Sequence, residues 1–215
     1  MTSSIQTLKR RAVLAMALGI PLALPLIGAA PVFAATPPEA FISDNIQKGL
    51  GILNDPQLST AQRSAQFGQL LISLTDMKRI ATFTLGQYAR NASPADLDDF
   101  AAAFQSYSVA VYRSYLGLYA GQALKVTGSS ERAPDDYIVS TVMVDPGNRG
   151  GQQQPLQVNF RVRTDSGKPE LTDFSVAGIW IALSQRDQFG AFLAQNHGDV
   201  KALIAHLNQV AASYR

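Results

Sequence analysis

The sequence predicts an α+β domain with a helical N-terminal half, an antiparallel sheet of about four strands and two C-terminal helices. Two observations carry this prediction. Apolar residues recur at helical spacing through residues 39–120, whereas β-branched residues and apolar–polar alternation dominate residues 123–183. Helices and an antiparallel sheet that are segregated along the chain define the α+β class.

The first 34 residues have the pattern of a secretory signal. The basic residues Lys9-Arg10-Arg11 precede an apolar run over residues 12–30. In the sequence Val32-Phe33-Ala34, small residues occupy the two positions that a signal peptidase recognises. The run could just span a bilayer, but two prolines within it favour removal over anchoring. We expect cleavage after Ala34 and a single mature domain, residues 35–215, in the periplasm. Lys9 before the arginine pair favours Sec export over the twin-arginine route.

Removal of this leader changes the charge of the chain. The whole sequence has 18 basic and 16 acidic residues; without the three basic residues of the leader, 15 remain against 16 acidic ones, a net charge of −1. Because the remaining cations form no cluster, we expect no nucleic-acid partner. The chain has no cysteine, so the exported domain must be stable without disulfides.

Four helices are predicted before the sheet. The first covers residues 39–53 and ends at Asn54-Asp55-Pro56. The second begins at Ser59 or Thr60, and the third covers residues 77–91.

The fourth and longest helix, predicted over residues 94–120, has an unusual surface. Ser93-Pro94 is a strong start and Gly121 a natural stop. At about 1.5 Å per residue the helix would be about 40 Å long. After its first two turns its only charge is Arg113. An ordinary surface helix has one apolar stripe and a charged back, so this helix either lies in the core or turns a face to an apolar cavity.

The sheet follows Gly121. Clean alternation over residues 155–163 predicts a strand with one wet face. We expect the long helix to cover the other face of the sheet. The predicted strands are residues 123–127, 137–144, 155–163 and, as the last and longest, 171–183 with a bulge at Gly178. Residues 145–154 form a loop rich in Gly, Asn and Gln. Ser184 is predicted to cap the next helix, and Gly198-Asp199 to precede the last.

The sequence contains no convincing catalytic or metal-binding constellation. His197 and His206 are nine positions apart and have no acidic partner at ligand spacing. A nucleophile elbow and a phosphate-binding loop are both missing from the sequence. We therefore expect neither an enzyme nor a cofactor. The aromatic residues are more than a small core requires, although each taken singly fits a core as well as a pocket: Phe67, Phe83, Tyr88, Phe104, Tyr107, Tyr115, Phe160, Phe174 and Trp180.

Three segments resemble the MlaC, or toluene-tolerance, family of periplasmic lipid carriers. DMKRIATFTLGQYARNASPADLDDFAAAFQSYSVAVYRSYLGLYAGQ (residues 76–122) resembles its helical centre, and PLQVNFRVR (155–163) its penultimate strand. DFSVAGIWIALSQRDQFGAFLAQNHGDVKALIAHL (173–207) resembles its C-terminal strand and helices. The resemblance departs at Trp180, which would narrow or reshape the pocket.

The resemblance implies an apolar pocket between sheet and helices that holds phospholipid acyl chains. It also implies a monomer that shuttles lipid between an outer-membrane lipoprotein complex and an inner-membrane ABC transporter, maintaining outer-membrane lipid asymmetry. A hopanoid or another apolar lipid is the alternative ligand, and a small α+β enzyme acting on an apolar substrate is the alternative class.

On this resemblance we expect one line of the long helix, Tyr107, Val111 and Tyr115, to face the acyl chains together with Phe160 and Phe174. Phe104 continues the neighbouring stripe and fits a core as well. The complete set of predicted lipid-binding residues is Phe83, Tyr88, Phe104, Tyr107, Val111, Tyr115, Val142, Val158, Phe160, Phe174 and Trp180.

Overall fold

The computed structural model describes residues 36–116, 119–145, 147 and 155–214. The predicted leader and most of the predicted loop at residues 145–154 lie outside these ranges. The elements within them are α1 (Pro37–Asn54), α2 (Thr60–Ser73), α3 (Met77–Leu85), a 3-10 turn (Gly86–Arg90), α4 (Pro94–Leu116), β1 (Ala123–Ala133), β2 (Asp136–Val144), β3 (Gln157–Arg163), β4 (Glu170–Val176), β5 (Ile179–Trp180), α5 (Ile181–Gln195) and α6 (Val200–Ser213).

The strands form one antiparallel sheet in the order β1-β2-β3-β4-β5. This confirms the α+β class, with five strands in the described ranges where the sequence predicts about four. The longest strand is β1, with 11 residues, although the sequence predicts only residues 123–127. Its second half, GSSERA, has low β propensity, and pairing with β2 holds it in the sheet.

The prediction of one long last strand over residues 171–183 is wrong. After β4, Ala177 and Gly178 both have positive φ, 51° and 83°. Two consecutive residues in this region make the tight turn that reverses a strand, so Gly178 belongs to a hairpin and not to a bulge. As a result β5 has only two residues, and α5 begins at Ile181 instead of after Ser184.

The core of the helical half surrounds α4, which packs against α3 and α6. Phe100 and Phe104 of α4 meet Phe189 of α5 edge to face, with ring centroids 6.1 and 6.3 Å apart. α4 is described as far as Leu116, and Tyr119 and Ala120, which belong to the predicted helix, are not helical.

The sequence predicts that the long helix covers the sheet. In the structure, the helix that packs on the sheet is α1, which contacts β1 and β2. The reason is that α3, α5 and α6 already cover much of the apolar surface of α4. Contact between α4 and the sheet includes Tyr112, whose ring centroid is 5.8 Å from that of Phe174. The second, smaller core between α1 and the sheet contains Ile42, Val139, Val162 and Leu171.

An ion pair fastens the end of the sheet where β2 begins. The guanidinium of Arg161 donates two hydrogen bonds, of 2.9 and 2.8 Å, to the buried carboxylate of Asp136. These bonds hold the pKa of Asp136 below its ordinary value.

None of the helices in the described ranges has the length and apolar character that crossing a bilayer requires. The same ranges contain no group of His, Asp and Glu side chains that could hold a metal ion.

Candidate functional site

A cavity of about 630 Å³ lies between α1, α2, the C-terminal end of α4 and the sheet. Its exposed lining residues in the described ranges, Tyr115 and Leu156, place the opening at the end of the sheet where β1 and β3 begin and β2 ends. Its volume is within the roughly 300–1,000 Å³ that is usual for small-molecule sites.

The helices α1 and α2 form one wall of the cavity. Ser59 and Gln62 begin α2 with a capping box, in which each side chain accepts the other residue's backbone N–H at 2.9 and 3.3 Å. The only buried residue of α2 is Gly68, so its apolar stripe faces the cavity. The wall consists of Ile42, Asn45, Ile46, Gly49, Leu50 and Leu53 of α1 and Phe67, Leu70, Leu71 and Leu74 of α2.

The opposite wall combines the end of α4 with the sheet. Tyr115, which is 64% exposed, and Leu156 lie at the opening. The hydroxyl of Tyr119 donates a hydrogen bond of 3.2 Å to Asn54, which ties this wall to the end of α1. The wall consists of Tyr112, Tyr115, Leu116, Tyr119, Gln122, Ala123, Leu124, Met143, Leu156, Phe160 and Leu171.

The described lining carries no charged side chain. The two amide side chains in it are engaged with the protein: Asn45 donates to the carbonyl of Phe41 at 2.7 Å, and the Gln122 carbonyl accepts the N–H of Ala120 at 2.7 Å. The cavity therefore suits an apolar ligand that needs little directional recognition.

Among the lipid-binding residues predicted from the sequence, Tyr115 and Phe160 line the cavity. Phe174 contacts Phe160, with ring centroids 6.5 Å apart. Val158 is buried on the same face of the sheet, whereas Val142 lies on the opposite face. The roles of these residues in binding remain predictions.

The other six predicted residues lie away from the described lining. Four belong to the helical half or its surface: Phe104, Tyr107 and Tyr88 pack in the core around Phe189, and Phe83 lies under the guanidinium of Arg186. Val111 is half-buried on α4, and Trp180 is half-buried immediately before α5. The structure thus does not gather all eleven residues into one site.

Sequence reasoning missed most of the wall formed by α1 and α2, because an apolar stripe on a helix indicates a core as readily as a cavity. The surplus of aromatic residues, which includes Phe67, is the one sequence feature that could have indicated this wall. Tyr112 was likewise not among the residues predicted to bind lipid.

Tyr112 lies beside a half-buried carboxyl group. Burial raises the pKa of Tyr112 far above its ordinary value, and the carboxylate of Asp173 raises it further. Burial also raises the pKa of Asp173, opposed by the N–H groups of Ala182 and Phe174, each 2.8 Å from its Oδ1. At physiological pH, Tyr112 is consequently a neutral hydroxyl that can donate a hydrogen bond.

A second, polar cleft of about 500 Å³ lies between the start of α4 and the turn from α5 to α6. His197 lines it in a left-handed conformation, with φ of 55°. His206 stacks on Phe192 at 4.9 Å. Neither histidine lines the apolar cavity.

A family model described as MlaC protein matches residues 43–209 of this sequence. The chain belongs to the MlaC family. The match includes the sheet, α2 to α5, all but the start of α1 and all but the end of α6, and therefore nearly all of the cavity lining. The fold is similar to that of a phospholipid-binding protein from Ralstonia solanacearum, solved in complex with a phospholipid, with a TM-score of 0.70. The two sequences are 20% identical, and the alignment covers 84% of this chain and 99% of that protein. This likeness, like the family match, supports the MlaC fold.

Proposed function

We propose that this MlaC family member is a periplasmic carrier that holds a phospholipid by its acyl chains in the cavity. The observation that carries the proposal is the absence of charge from the described lining of a cavity of about 630 Å³. The complex of the similar Ralstonia protein with a phospholipid supports the same ligand class.

The binding energy in this proposal comes from apolar burial. Each buried methylene contributes about 0.8 kcal/mol, so removing two methylenes from a bound chain weakens binding about fifteenfold. Affinity should depend much less on salt, because no described cation or anion lines the cavity. The head group lies at the opening near Tyr115, in water.

We further propose that the carrier is a monomer and moves lipid between an outer-membrane lipoprotein complex and an inner-membrane ABC transporter. The family membership supports this role, and the signal pattern of residues 1–34 supports export. The lipid is released chemically unchanged, because no described residue of the lining pairs a nucleophile with a base.

Mass spectrometry of an organic extract tests the ligand, with the protein purified from the periplasm. We expect stoichiometric phospholipid with intact ester bonds. Transfer of labelled phospholipid from donor to acceptor vesicles then tests the carrier role. An extract without lipid, together with no transfer, would refute the proposal. Release of lyso-lipid or fatty acid would make the protein a hydrolase, and a polycyclic lipid in the extract would change the ligand class.

A further inference from the structure

Tyr112 lines the cavity with a half-buried side chain whose hydroxyl has no hydrogen-bond partner among the residues of the described ranges. Every enclosed side-chain nitrogen and oxygen in those ranges does have a partner. The hydroxyl of Tyr112 therefore keeps some accessible surface, and the cavity is an open space that its side chain lines.

The neighbours of Tyr112 include an aromatic ring and a carboxyl group, and neither is hydrogen-bonded to its hydroxyl in the described ranges. Its ring is held against Phe174. The carboxyl group of Asp173 uses its Oδ1 to accept the backbone N–H of Phe174 in β4 and that of Ala182 at the start of α5. A hydroxyl in apolar surroundings is costly unless a partner reaches it, so a bound ligand with an acceptor atom at this depth gains a hydrogen bond.

The position of Tyr112 along α4 fixes which part of a lipid would reach it. Tyr115 is exposed at the opening, and Tyr112 is half-buried three residues earlier on the same helix, about 4.5 Å along its axis at 1.5 Å per residue. With the head group outside and the acyl chains inside, this depth corresponds to the ester groups that join the two.

We propose that Tyr112 donates a hydrogen bond to an ester carbonyl of the bound lipid, which makes the site selective for acyl esters over alkyl ethers. This inference rests on the proposed function, because it assumes a lipid in the cavity. It assigns Tyr112 a role in selecting the lipid class and in fixing the depth at which the lipid sits.

The test compares two phosphatidylcholines of equal chain length, one a diester and the other a dialkyl ether, in binding to the full mature protein. We expect the wild type to prefer the diester by about twofold to tenfold, the range of one net hydrogen bond. Tyr112→Phe should remove this preference by weakening diester binding. Tyr214→Phe is the matched control, since Tyr214 lies outside the described lining and is 47% exposed, and it should preserve the preference.

Infrared spectroscopy of diester labelled with ¹³C at the carbonyls gives a second measurement. The bound carbonyl band should move to lower frequency in the wild type and return in Tyr112→Phe. An unchanged band, or a preference that persists in Tyr112→Phe, overturns the assignment while lipid binding itself stands. Equal loss of both lipids with a lower melting temperature would show that the hydroxyl serves the fold. Failure of the wild type to bind either lipid would overturn the proposed function as well.

Discussion

Gly49 of α1 offers a way to fill the cavity from one side. It is buried in the wall where α1 meets α2, and an added Cβ would lie 3.1 Å from Cε2 of Phe67 and 3.7 Å from Cδ2 of Leu70. Both of these side chains line the cavity. Gly49→Leu should consequently occupy cavity volume directly and push the Phe67 ring further into it.

The size of the effect follows from apolar burial. Leucine adds four carbon atoms at this position, and at about 0.8 kcal/mol for each displaced methylene the loss is at most about 3 kcal/mol. This corresponds to a loss in lipid affinity of up to about two hundredfold. A lipid with chains shorter by about four methylenes should lose much less, because the space it needs is still free.

Gly51→Leu on the same helix is the matched control. An added Cβ there meets nothing within 4 Å, and the position is exposed. Both substitutions replace glycine in a helix and each gains about 0.7 kcal/mol of helix propensity, so differences between them report the cavity.

The assay is a titration of each variant with a fluorescent phospholipid, followed by competition with unlabelled lipids of graded chain length. Circular dichroism at 222 nm during heating verifies that both variants fold. Unchanged affinity of a folded Gly49→Leu protein would refute the assignment of this cavity as the lipid site. An equal loss in Gly51→Leu would show that the effect does not come from the cavity.

Three further predictions concern the core, the ion pair and export. Phe104→Ala should lower the free energy of unfolding by about 3–5 kcal/mol, because the Phe104 ring is 2% exposed and packs in the helical core. Lipid binding by the folded fraction should stay normal. A loss of lipid binding without a loss of stability would instead place Phe104 in the lipid site. Arg161→Met should lower stability by up to about 3 kcal/mol at pH 7, measured by urea unfolding, because the buried Asp136 carboxylate would keep only its longer ion pair with Arg132, at 3.8 Å. Because the folded pKa of Asp136 is lowered, its contribution is present above the unfolded pKa of about 3.9. That contribution is lost as the pH falls through the folded value, so a difference between wild type and variant that did not decrease with falling pH would contradict this account. Intact mass of the periplasmic protein should match a chain beginning at Ala35, whereas a full-length, membrane-bound chain would mean that the leader is an anchor.

Much of the fold could be predicted because local patterns determine it. Start and stop residues placed α2 and α6 to within a residue or two, and alternation in PLQVNFRVR identified β3 and its buried face. The turn at Ala177 and Gly178 was missed because apolar residues continue through it, so the pattern of a strand hides two residues with positive φ.

The sequence by itself determined that α4 is too apolar for an ordinary surface helix, and that the chain has the pattern of a lipid-carrier family. Only the tertiary structure decided which apolar residues form a core and which line a cavity. Phe104 and Tyr115 are both aromatic residues of the same helix, yet Phe104 is 2% exposed and Tyr115 64% exposed. The physical reason is that periodicity reports which side of a helix avoids water, whereas the neighbouring elements decide whether that side meets protein or open space. Here α5 and α6 cover the part of α4 around Phe104, and its last turns border the cavity.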